Sequence, residues 1–225
     1  MLTKCLYFDR LSFAMKRRFF GDKKFYMMVL AVAVPIIIQN GISNFVNMLD
    51  NIMVGQVGTE QMSGVAIVNQ LMFIFNLALF GAISGPGIFT AQYVGQKNNE
   101  GISHTVRFKL IIVAFISIAG ILLFHYFDEP FIRIYLTDNG QGLDLEATLG
   151  YAREYLKVML FGLAPFGVAC AYAGTLRESG ETKVPMYASL IAVFTNLVLN
   201  YVLIFGHFGA PKLGVVGAAV ATVIS

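Results

Sequence analysis

Asp50 is the only carboxylate between Phe25 and Val54, in the run FYMMVLAVAVPIIIQNGISNFVNMLDNIMV. A charge at bilayer depth costs several kcal/mol, by estimates from about 2.5 upward, so an intramembrane acid is kept where it faces a cavity or a partner. Amides surround it in the sequence. Asn40, Asn44, Asn47 and Asn51 recur at steps of four, three and four, which at about 100° per residue places them on one helical stripe. Ser43 and Asp50 flank that stripe. Asn196 and Asn200 stand at i and i+4 on a later apolar segment, with Ser189 a further two turns back, and Asn69, Gln70 and Asn76 come from another. One amide in a span is readily explained as an interhelical hydrogen bond worth about 0.6 to 2 kcal/mol. Four in register beside an acid favour a water-accessible cavity. A carboxylate ringed by amides can bind a proton, or its oxygens can help coordinate Na⁺ as hard ligands. The residue types leave both open, and both point to transport.

Little else in the chain offers chemistry. His104 lies among basic loop residues, and His125 and His207 fall at segment ends. No His, Cys and carboxylate set has metal-ligand spacing, no glycine-rich phosphate loop follows a strand, and no nucleophile stands beside a base. Cys5 and Cys170 form no disulfide framework. Tyr93, Tyr126, Tyr135, Tyr151 and Tyr155 fall near segment ends and read as interfacial belt aromatics.

The elements that carry these residues are membrane spans. Hydrophobic residues make up 57% of the 225 and charged residues 13%, with a mean hydropathy of +0.70. A soluble domain carries about 25% charge. The expected fold class is an all-α integral membrane protein with five complete transmembrane helices and the start of a sixth, each span needing about 20 apolar residues. The expected spans run from about Tyr26 to Val54, from Met62 toward Lys97, from Leu110 to Phe127, from Val158 to Leu176, and from Val184 to Gly206. A break at Gly85-Pro86-Gly87 is expected to end or kink the second. A final stretch from Leu213 stops at Ser225, about two thirds of the way through a span. Residues 1–24 read as a basic cytoplasmic or interfacial leader, and residues 25–225 as one helical lobe.

Lys and Arg placement sets the expected orientation. With the N-terminus inside, only Arg133, Arg153, Lys157 and Lys212 fall outside. Lys97, Arg107 and Lys109 are placed in one inner loop and Arg177 and Lys183 in the next. The outer loop between the third and fourth spans is acidic, with Asp128, Glu129, Asp138, Asp144, Glu146 and Glu154. The expectation is a multi-pass plasma-membrane protein with a cytoplasmic N-terminus. No basic cluster with interleaved aromatics suggests nucleic acid as a partner.

Three stretches resemble the multidrug and toxic compound extrusion (MATE) transporters. They are Asp50 to Gly58 (DNIMVGQVG), Leu176 to Met186 (LRESGETKVPM), and Asn196 to Gly206 (NLVLNYVLIFG) followed by Gly214 to Ala219. Their order and helical placement extend the resemblance over Tyr26 to Ser225. It implies a MATE-like N-terminal helical bundle, one six-helix half of a twelve-helix fold around a central cavity. The second half, the C-terminal lobe, would be a missing partner. It implies secondary active efflux of small organic, often cationic, compounds in exchange for H⁺ or Na⁺ by alternating access, with no other cofactor and no enzymatic activity. It places Asp50, Asn196 and Asn200 in an ion site. Many members carry Asp at the position of Asn200, so this chain keeps one ionisable group there. The substrate cavity would take Asn40, Ser43, Asn44, Asn47, Asn69 and Gln70. Two alternatives are a lipid-linked oligosaccharide flippase of the same superfamily, which would want cations in mid-span to meet pyrophosphate, and a truncated remnant that transports nothing.

Overall fold

The computed structural model describes residues 21–136 and 144–225. The expected leader lies outside these except for its last few residues, as do Cys5 and Asp138. Among the described residues seven α-helices follow in order: α1 (Lys23–Gly55), α2 (Thr59–Gly95), α3 (Asn99–Tyr126), α4 (Asp128–Tyr135), α5 (Leu145–Glu178), α6 (Lys183–Phe205) and α7 (Val215–Ile224). Five of them, α1, α2, α3, α5 and α6, are long and apolar enough to cross a membrane. Their outer faces carry bare apolar side chains such as Phe80, Phe115 and Phe161, the last 81% exposed. Such surfaces suit lipid and not water.

Helix ends follow local chemistry. Asn98 closes α2 and opens α3. Lys97 takes φ +55, while the Lys97 and Asn98 N–H groups donate to Val94 and Tyr93 carbonyls at 3.0 and 2.9 Å. That is the Schellman arrangement. The Asn98 side chain then accepts from Gly101 N at 3.0 Å, capping α3. α5 ends in a second Schellman motif. There Gly180, at φ +86, donates to Arg177 O at 3.0 Å and Glu181 donates to Leu176 O at 2.9 Å.

Several expectations are corrected here. α2 runs on through Gly85-Pro86-Gly87, so the break does not end it. The proline removes one ladder donor, a loss that packed neighbours tolerate in a membrane helix. α3 and α5 begin 11 and 13 residues before the expected spans, at Asn99 and Leu145, because side-chain caps at Asn98 and Asp144 start them in polar sequence. The loop after α3 contains the short helix α4, tied to α5 by Arg153 Nε donating to Asp128 Oδ2 at 2.8 Å. Arg133, exposed on α4, pairs with Glu129 and Glu146, and these partners, Glu129 first, raise its pKa further.

Six of these helices form two groups of three. α2, α3 and α5 pack together around Val68, Leu71, Leu79, Val113, Leu156 and Leu163. Glycine allows the closest approach: a Cβ on Gly64 would stand 3.0 Å from both Ala152 N and Thr148 O. The second group is α1, α6 and α7, where α6 contacts both others and α7 also packs on α5. α7 can approach α6 because Gly217 has no side chain. A Cβ there would lie 2.6 Å from Leu203 O. Close small-residue crossings of this kind are what lipid-embedded helices use in place of a hydrophobic driving force.

Candidate functional site

Asp50 lies in the last two turns of α1, half-buried, facing α6. Asn200 Nδ2 donates to Asp50 Oδ1 at 2.6 Å. Asn200 is 1% exposed and its own Oδ1 has no hydrogen-bond partner. One terminal atom of the Asn196 amide lies 3.0 Å from Asp50 Oδ1, from Asp50 Oδ2 and from Asn200 Nδ2. The two possible orientations of the amide have different consequences. With nitrogen in that place, Asn196 donates to both carboxylate oxygens. With oxygen there, it accepts from Asn200 Nδ2 at 3.0 Å, while its nitrogen reaches Thr222 Oγ1 on α7 at 3.4 Å. The second orientation sets a carbonyl oxygen against a carboxylate, which is favourable only with a proton or a cation between them.

The third wall is Tyr155 of α5, buried beside Thr222 and near enough for Asp50 to act on it electrostatically. Asp50, Asn196, Asn200 and Thr222 thus gather carboxylate, amide and hydroxyl oxygens from α1, α6 and α7. These are hard donors, suited to Na⁺ as well as to a proton. The predicted trio Asp50, Asn196 and Asn200 is brought together. Thr222 and Tyr155 were not anticipated as members. Tyr155 is corrected from belt aromatic to buried site wall, since α5 starts 13 residues early and carries it inward. Thr222 sits in α7, where its only sequence signal is a hydroxyl in an otherwise apolar run.

The remaining candidates lie elsewhere. Asn40, Asn44, Asn47 and Asn51 form the expected stripe, exposed along α1, with Ser43 half-buried at its edge. Asn69 and Gln70 are exposed on α2, and Asn76 donates to Met72 O at 3.0 Å. None of these stripe residues contacts Asp50 among the hydrogen bonds of the described residues.

Two charged groups depart from their expected loop positions. Lys109 lies eleven residues into α3 with its side chain fully buried. Its Nζ pairs with Glu178 Oε2 at the end of α5 and donates to Thr175 Oγ1 at 3.2 Å. Arg177, adjacent to Glu178, donates from Nη2 to Gln39 Oε1 of α1 at 3.2 Å. A loop assignment fails for both because the partners they need are on other helices, invisible in local sequence. His104 is largely exposed, 3.7 Å from Glu100, and His207 stacks on Tyr201 with ring centroids 4.4 Å apart. Among the described residues no group of His, Cys, Asp and Glu could hold a metal.

Fold and site define a multi-pass helical membrane protein with an acid–amide cluster buried between its spans. The MatE family model matches residues 35–202. The chain is 30% identical over 197 residues to a probable multidrug resistance protein NorM of Thermotoga maritima, covering 88% of this chain and 41% of that protein. It is 31% identical over 199 residues to one from Halalkalibacterium halodurans, covering 88% and 42%. It superposes on an outward-facing multidrug resistance MATE family transporter of the MOP superfamily with TM-score 0.69 and 25% identity, over 88% of this chain and 41% of the other. A MOP superfamily transporter from Pyrococcus furiosus shares the fold at TM-score 0.68 and 24% identity. The chain belongs to the MATE family, and it matches the N-terminal half of these proteins, about two fifths of their length.

Proposed function

We propose that this chain forms the N-terminal lobe of a secondary active multidrug efflux antiporter, located in the plasma membrane with its N-terminus cytoplasmic. The observation that carries the reading is the cluster of Asp50, Asn196 and Asn200, closed by Thr222. Asp50 takes up H⁺ or Na⁺ from one side and releases it to the other. The Asn196 amide responds to that load. When Asp50 is ionised and empty, the amide nitrogen faces the carboxylate. When a proton or Na⁺ sits on the carboxylate, the amide oxygen can turn toward it. The orphaned Asn200 Oδ1 supplies a further acceptor. A cation can drive a change only by binding one state better than another, and a cluster spanning α1, α6 and α7 makes the packing of those helices depend on ion load.

The exposed stripe of Asn40, Asn44, Asn47 and Asn51, with Ser43 at its edge and Asn69 and Gln70 on α2, would form this lobe's half of the substrate cavity, facing a C-terminal lobe. Its amides are uncharged, which suits small organic cations without trapping them by ion pairing. The test is export of a fluorescent cationic dye by the complete gene product in everted membrane vesicles, driven by an imposed H⁺ or Na⁺ gradient. Asp50→Asn should abolish gradient-driven export at normal expression. Export equal to wild type would overturn the role of Asp50.

A further inference from the structure

α1 and α6 meet in a repeated register. Gln39 Nε2 donates to Ser189 Oγ, and eleven residues on, Asn200 donates to Asp50. Both contacts join residues 150 apart in sequence. The buried residues Val46 and Val54 of α1, and Asn196 and Ile204 of α6, stand at that same offset. Two parallel helices are therefore in step over three turns, about 16 Å at 1.5 Å per residue. The apolar contacts between them are non-directional and do not by themselves forbid a slip of one turn, about 5.4 Å. Such a slip would take Asp50 out of reach of Asn200.

Gln39 is placed to oppose the slip. It is buried, and both ends of its amide are engaged, the nitrogen by Ser189 and the oxygen by Arg177. The Arg177 backbone is itself fixed. It lies in the Schellman turn that ends α5, next to Glu178, which is paired to fully buried Lys109. So the position of α1 is referred back through Arg177 to the core of α2, α3 and α5. We propose that Gln39, held between Ser189 and Arg177, is a positioning residue that sets the register of α1 on α6 and so delivers Asp50 to Asn196 and Asn200. A single buried polar residue fixing helix register is a known device. Here it stands three turns from the group it positions, and its functional weight rests on the ion-site reading above.

The test is the infrared carboxyl band of Asp50 in the lipid-reconstituted protein, isolated by subtracting the spectrum of Asp50→Asn, which also removes the contribution of Tyr155. Gln39→Leu removes both hydrogen bonds at similar volume. It should shift the band toward that of a carboxyl without its amide partners. Gln39→Glu can accept from both Arg177 and the Ser189 hydroxyl and should restore the wild-type band. A simple packing role would not show that rescue. If Gln39→Leu does not fold, Ser189→Ala should give the same shift at smaller amplitude. An unchanged band in the folded variants, or a Gln39→Glu spectrum matching Gln39→Leu, overturns the inference. A wild-type band indifferent to both H⁺ and Na⁺ would overturn the ion-site reading instead, while the band shift still decides the register.

Discussion

Lys109→Met removes the cation of the most deeply buried ion pair among the described residues. The Lys109 side chain is 0% exposed and that of Glu178 20%. Breaking a buried pair on one side costs about 3 to 5 kcal/mol, because the remaining charge is left without compensation. Glu178 lies at the end of α5 and keeps some solvent contact, so the lower end, about 3 kcal/mol, applies. At about 1.4 kcal/mol per tenfold, that is a loss of roughly two orders of magnitude in the folding equilibrium. The double variant Lys109→Met with Glu178→Met removes both charges. Replacing both charges by apolar groups of similar volume is often neutral or stabilising, so the double variant should recover most of the loss. The assay is reversible unfolding in mixed micelles, followed by far-UV circular dichroism, on the wild type, both single variants and the double. A Lys109→Met loss below about 1 kcal/mol, the range of an exposed pair, would refute the reasoning. So would a double variant less stable than either single.

Two further predictions concern close approach. Gly87→Ala would place a Cβ within 3.0 Å of the Glu178 carboxyl carbon, pushing it off Lys109. Its destabilisation should shrink in a Glu178→Ala background, as a double-mutant cycle by thermal unfolding would show. Full additivity would mean that Gly87 does not serve the pair. Gly217→Ala would press a methyl against Leu203 O and C at 2.6 and 2.7 Å. Both are backbone atoms that cannot rotate away, so overpacking should cost about 1 to 3 kcal/mol and lower Tm. An unchanged Tm would show that α6 and α7 can separate without loss.

The spans were legible in the sequence because a hydrocarbon core imposes a length and a polarity that local composition must meet. Asp50 stood out for the same reason: a lone acid in an apolar run needs an explanation wherever the run folds. Asn196 and Asn200 were legible through their helical spacing. What local sequence could not supply was which helices touch. Tyr155 reads as a belt residue until α5 is known to begin at Leu145 and to pack against α7. Lys109 and Arg177 read as loop cations because a buried charge is tolerable only through partners 69 and 138 residues away. Gln39 is one amide among several in α1 until α6 supplies Ser189 and α5 supplies Arg177. Composition and periodicity are properties of a segment, so the sequence by itself determined the spans and their polar faces. Ion pairs, register and the closure of the acid–amide site depend on two or three segments meeting, and the tertiary structure alone decided those.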